Sequence, residues 1–133
     1  MEIKITIGRI YNSVRDQKGR LFYPNLNARM HWVERSRWTT AFKQQAWGLA
    51  LSEKNRLRVK GFKKAKITVL FYTCQPKDYD NGYTSAKPLV DGIVAAGIIP
   101  DDSEKFLNLQ VKSVKVATRA EQRTEISIKE IKR

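Results

Sequence analysis

Hydrophobic and polar positions alternate at both ends of the chain. In residues 2–10 Ile3, Ile5 and Ile7 fall on one face, with Lys4 and Thr6 on the other, which is the period of a half-buried strand. Residues 65–74 read as a second strand with Ile67, Val69 and Phe71 on one face. Thr68, Leu70 and Tyr72 lie on the other, so both faces are expected to be partly covered. Residues 107–117 and 124–131 alternate again and are expected to pair as a hairpin. Between these runs the period lengthens. Trp38, Phe42, Ala46, Leu49 and Ala50 recur at spacings of three and four, with Trp47 and Leu51 widening the stripe. This predicts a helix over 36–54 capped by Ser36 or Thr39. Leu89, Val90, Ile93 and Val94 predict a second helix over 84–96. Thr84 or Ser85 would cap it, Pro88 would sit in its first turn and Gly97 would end it. Residues 11–24 read as a loop with a short hairpin around Gln17-Lys18-Gly19. The elements run β-α-β-α-β-β, a single α+β domain with a mixed sheet and two helices packed on it.

With 41 % apolar residues among 133, the chain can bury one core. No apolar run reaches the roughly 18–20 residues of a membrane span, so no membrane partner is expected. Cys74 is the single cysteine, so no internal disulfide framework forms, and a reducing cytoplasm fits best. The net charge of +13 changes the picture more. A field of that sign attracts polyanions, nucleic acid first among them, because neutralised phosphates release counterions. The densest basic run is Asn55–Lys66, with Arg56, Arg58, Lys60, Lys63 and Lys64 as candidate contacts to a DNA backbone; a solvated loop is the plain alternative. Asn27 and Arg29, in the stretch PNLNARMHW, are further candidates for phosphate contact. His31, the only histidine, reads as structural.

Acid is concentrated in one stretch, residues 77–104, which holds six of the 13 carboxylates. The strand over 65–74 leads into Asp78-Tyr79-Asp80-Asn81. An extended backbone there would put Asp78 and Asp80 on one side. Two carboxylates sharing a site repel unless a cation stands between them. Hard oxygen donors of this kind suit Mg2+ or Mn2+. Taken alone, the Asp-x-Asp pattern equally fits turn and cap chemistry. Lys87 and Asp91, four apart, would be neighbours on one face of the second helix. Asp101 and Asp102 follow after Gly97. A helix of that length spans roughly 20 Å, so Asp102 can approach the first pair only if the chain folds back.

The sequence DYDN, then a helix carrying Lys87 and Asp91, then Gly97 and the pair Asp101-Asp102 resembles the RusA family of Holliday-junction resolvases. Pro24 and Asn27 resemble the Pro-x-x-Asn element ahead of that family's first helix. The connection after Asn81 is longer here, with Gly82-Tyr83-Thr84 reading as three extra residues. The resemblance implies a RusA-like fold, Asp78, Asp80 and Asp102 as metal ligands and catalytic carboxylates, and Lys87 as the catalytic lysine. Asn81, Asp91 and Asp101 would support them. It further implies a Mg2+-dependent endodeoxyribonuclease of recombination and repair that nicks four-way DNA junctions as a homodimer. Genes of this family are often carried by phages and prophages. A non-catalytic junction-binding protein with structural carboxylates is the alternative from another class, and a nuclease for RNA, flaps or forks is a third.

Overall fold

The computed structural model describes residues 2–7, 14–15, 21–22, 32–73, 79–118 and 121–131. Its elements are β1 (Glu2–Ile7), β2 (Val14–Arg15), β3 (Leu21–Phe22), α1 (Trp32–Leu57), β4 (Ala65–Thr73), α2 (Tyr79–Ala95), β5 (Leu107–Lys115) and β6 (Arg123–Glu130). The four long strands form one mixed sheet in the order β1-β6-β4-β5. β6 lies antiparallel to both β1 and β4, while β5 lies parallel to β4. The α+β class and the order β-α-β-α-β-β are therefore present, with the small β2–β3 ladder inserted before α1. That ladder pairs Val14 with Phe22 and Arg15 with Leu21, the geometry expected of a hairpin there.

Alternation along the strands decides which face is covered. β1 buries every second residue, β4 does so throughout and β6 over most of its length. The register then stacks the buried positions into rows. Ile3, Ile128 and Ile67 are neighbours, as are Ile5, Ile126 and Val69, and Ile7, Thr124 and Phe71. Both helices pack on this face. α1 contributes Phe42, Ala46 and Ala50 to the core, and α2 contributes Ala86, Leu89, Val90 and Ile93. The helices meet closely at Gly92: a Cβ built there would lie 2.5 Å from the Lys43 carbonyl oxygen.

Four local expectations are corrected. Residues 107–115 and 123–130 do not form a hairpin, since β4 lies between them and pairs with both. Alternation defines a strand's faces, not its neighbours, and a βαβ crossover on β4 claims β5 as a parallel partner. α1 begins at Trp32, so Ser36 and Thr39 lie inside it instead of capping it. Interior Ser and Thr disfavour a helix by only a fraction of about 1 kcal/mol each, too little to end it. α2 begins at Tyr79, not at Thr84, which puts Pro88 in its interior and Thr84 and Ser85 beyond any capping position. An interior proline costs about 3 kcal/mol. Burial of Leu89, Val90 and Ile93 on the same helix, at about 1.5–3 kcal/mol each, outweighs it. Trp47 is 44 % exposed and does not widen the buried stripe of α1, because the stripe runs at steps of four through Phe42, Ala46 and Ala50.

The helix ends need left-handed backbone. Arg58 adopts a φ of 55° just past α1. Gly97 adopts a φ of 80° just past α2, where its amide is bonded to the Val94 carbonyl. Lys54 of α1 donates from Nζ to the Ala96 carbonyl at 3.5 Å, tying the end of α2 to its partner helix.

Candidate active site

α2 starts next to the end of β4 and runs back over the sheet, because β5 must begin beside Ala65 at the start of β4. The helix thus carries the chain away from the end of β4, and any return of Asp102 towards it depends on the segment after Gly97. Thr73 ends β4. It is buried, donates from Oγ1 to Gln122 Oε1 at 3.2 Å and accepts the Val116 amide on its carbonyl. The strand end from which the chain leaves towards Asp78 is thus pinned on two sides.

Asp78 lies outside the described residues. Asp80 and Asn81 fall in the first turn of α2. This corrects the expectation of an extended Asp-x-Asp, because the backbone at Asp80 is helical. Carboxylates are favoured at that end of a helix by its exposed N–H groups. The side chains of Asp80 and Asn81 lie outside the described part of the structure. Position still carries information: residues 80, 87 and 91 are spaced by seven and four, so helical periodicity places them on one stripe of α2. Lys87 stands about 10 Å along the axis from Asp80.

After Gly97 the chain doubles back. Ile98 and Ile99 are buried, and the Ile98 carbonyl accepts the Phe62 amide at 2.6 Å. The Ser103 carbonyl then accepts the amides of Phe106 and Leu107, each at 3.0 Å, closing the turn that leads into β5. Within this segment the two aspartates separate in role. Asp101 turns its Oδ1 back onto the Asp102 amide at 2.8 Å. Asp102 reaches across to α2, where its Oδ2 stands 3.5 Å from Lys87 Nζ. The same Nζ lies 3.8 Å from Asp91 Oδ1. One ammonium therefore holds two carboxylates that are 11 positions apart in sequence, and all three side chains remain solvent-accessible. Among the described residues no three acidic, histidine or cysteine side chains stand close enough to hold an ion. Asp102 offers hard oxygen donors at 42 % exposure and lies beside Lys87, the middle member of the helix stripe that includes Asp80.

The basic run is placed next to this segment. Gly61 has a φ of 111°, and a Cβ there would stand 2.5 Å from the Gly97 carbonyl oxygen. Arg58, Lys60 and Lys63 are exposed and Lys64 is half-buried, flanking the start of β4. Arg56 is committed locally: its guanidinium bonds Glu53 at 2.7 Å within the last turn of α1. Asn27, Arg29, His31 and Cys74 lie outside the described residues. No protein-family model matches this sequence, and no curated protein matches it closely enough to count as a relative. Among the described residues no helix is long and apolar enough to cross a membrane.

Proposed function

We propose that the protein is a metal-dependent structure-selective endodeoxyribonuclease acting on four-way DNA junctions, with a RusA-like fold and as a homodimer. The observation that supports this reading is the convergence of Asp102, Lys87 and Asp91, side chains brought together by a fold-back, on a chain of net charge +13. Surface acid of this kind works against the binding of a polyanion unless it has a task in the reaction. Asp78, Asp80 and Asp102 would hold Mg2+ or Mn2+. Such an ion, when bound, polarises a phosphate and lowers the pKa of an attacking water. Asp91 fixes the reach of Lys87 along the helix. In this reading the ammonium would stabilise charge on the scissile phosphate or the leaving oxygen. Asp101, bonded to its neighbour's amide, shapes the turn that presents Asp102. Arg58, Lys60, Lys63 and Lys64, docked against that returning segment through Phe62 and Ile98, supply backbone contacts to a junction arm.

The test is a nicking assay on a synthetic four-way junction with and without Mg2+, alongside flap, fork and RNA substrates. The expected result is paired, metal-dependent nicks in the junction. Asp102→Asn and Asp80→Asn should abolish cleavage and leave junction binding intact or tighter. A folded protein that binds the junction and never nicks it in any divalent metal is the non-catalytic binder of the alternative reading. Faster cleavage of flaps, forks or RNA would move the assignment to those substrates.

A further inference from the structure

Both helices cover one face of the main sheet, and its other face carries no packed element among the described residues. The register assembles that open face in rows. Glu2, Lys129, Lys66 and Asn108 form the first, and Lys4, Ser127, Thr68 and Gln110 the second. Thr6, Glu125, Leu70 and Lys112 form the third, followed by Arg123, Tyr72 and Val114. The two acids are already engaged: Glu2 accepts from Ser127 Oγ at 2.6 Å, and Glu125 is paired with Arg123 at 3.1 Å. Lys4, Lys66, Lys112 and Lys129 make no ion pair among the described residues. Lys66 and Lys129 stand directly opposite each other across β4 and β6. Like charges in that position repel; Glu2, opposite Lys129 on β1, offsets part of the repulsion, and an anion bound between the two ammonium groups would offset the rest.

Arg123 adds a shape to this charge. Its guanidinium carbon sits 3.8 Å from the centroid of the Tyr72 ring. Nε donates to Glu125 Oε1 at 3.1 Å and Nη1 donates to the Glu121 carbonyl at 2.9 Å. The guanidinium is therefore held over the ring by two hydrogen bonds, and its side chain keeps 36 % exposure. A guanidinium so fixed is a stacking surface for an unpaired base. One row away lies a depression of about 390 Å³, lined by Lys4, Thr6, Thr68, Leu70 and Ser127 and also by Glu2 and Glu125. Its hydroxyl groups and the apolar side chain of Leu70 stand beside two carboxylates, each already bonded, Glu2 to Ser127 and Glu125 to Arg123.

We infer that this open sheet face is a second nucleic-acid surface. It takes a single strand, with phosphates following Lys4, Lys66, Lys112 and Lys129 and an unpaired base laid on Arg123. Charge selects the occupant. A second copy of this face would bring eight ammonium groups together, whereas a strand of phosphates neutralises them. A fixed guanidinium favours a nucleic acid over an acidic peptide, because every nucleotide brings a ring along with its phosphate and a peptide brings one only at its aromatic residues. The surface lies across the sheet from Lys87 and Asp102, and the inference does not depend on the nuclease reading.

The experiment is fluorescence polarisation of a labelled oligo-dT strand and of a duplex of equal length, titrated with the full chain in EDTA at several salt concentrations. Four variants are compared with the parent: K4Q/K66Q/K112Q/K129Q, the pair K66Q/K129Q, R123K and R123A. Circular dichroism and a thermal melt establish that each is folded. The quadruple variant should reduce the slope of log K against log salt for the single strand by about 3, from four phosphates at about 0.7 each. The pair should reduce it by about 1.4 and serves if the quadruple variant does not fold. R123K keeps the charge and loses the plane. It should weaken the single strand at least about fivefold, with R123A at least as damaging, and leave the duplex unchanged. An unchanged slope in a folded lysine variant overturns the inference. So does an equal loss for strand and duplex, or polyglutamate competing as well as oligo-dT with R123K indistinguishable from the parent. Nicking is not part of this readout, so its outcome is separate from that of the junction assay.

Discussion

Two helical glycines should respond to the same substitution with opposite signs. A Cβ at Gly92 of α2 would stand 2.5 Å from the Lys43 carbonyl oxygen and 2.9 Å from both Ala46 Cβ and the Trp47 amide nitrogen, all on α1. Carbon and oxygen approach no closer than about 3.3 Å in weak hydrogen-bond contacts, so the helices must part by about 0.8 Å. Two of the three obstacles are backbone atoms and cannot rotate away. A gap of that size forfeits a quarter to a half of the dispersion energy along the shared seam, where Phe42, Ala46 and Ala50 meet Leu89, Val90 and Ile93. Overpacking in a core costs about 1–3 kcal/mol, and a backbone obstacle puts Gly92→Ala at the upper end. The gain in helix propensity returns about 1 kcal/mol. The net is a loss of about 2 kcal/mol. At Gly48, in α1, nothing lies within 4 Å of the added carbon. There only the propensity gain acts, and Gly48→Ala should stabilise by about 0.5–1 kcal/mol. Urea unfolding followed by far-UV circular dichroism measures both, with equal m-values required for the comparison. Should Gly92→Ala prove as stable as Gly48→Ala, the close crossing of α1 and α2 at this point is wrong.

Three further outcomes are expected. Lys87→Met removes ammonium contacts of 3.5 and 3.8 Å at an exposed site, where ion pairs contribute at most about 1 kcal/mol. It should therefore leave the urea midpoint nearly unchanged while abolishing any metal-dependent nicking; a large loss of stability would make the cluster structural. Arg58→Gly relieves a φ of 55° and should raise stability by about 1 kcal/mol in the same assay, and a destabilised variant would refute the strain. Glu2 and Glu53 titrate below the ordinary glutamate value, the first chiefly through the Ser127 hydroxyl bond and the second chiefly through the bond from Arg56. A lowered folded pKa means that the unfolded chain binds more protons in the acid range. Their contribution is present above the unfolded value of about 4.3 and is lost as pH falls through the folded one. Melting temperature measured from neutral to acid pH should fall less steeply in Glu2→Gln and Glu53→Gln than in the parent, and an unchanged slope would show that the two bonds do not persist in solution.

Much of the architecture was readable in the alternation of apolar residues. The period-two runs mark β1, β4, β5 and β6 to within a few residues, because a half-buried strand must place every second side chain in the core. The Lys87–Asp91 contact is likewise local, set by a helical spacing of four. Local signals failed where burial overrode them. Pro88, Thr84 and Ser85 all suggest that a helix starts near residue 84, yet α2 begins at Tyr79 and carries Pro88 in its interior. Asp80 consequently belongs to a helix and not to a strand.

What the sequence determined by itself was which faces each element would bury and where opposite charges would gather, since both depend on residues a few positions apart. Only the tertiary structure decided who stands beside whom. It placed β4 between β5 and β6, brought Asp102 back onto Lys87, and lined up Lys4, Lys66, Lys112, Lys129 and Arg123 on one uncovered surface. These neighbours are far apart along the chain. Their meeting depends on closing long loops and burying a shared core, which no local periodicity records.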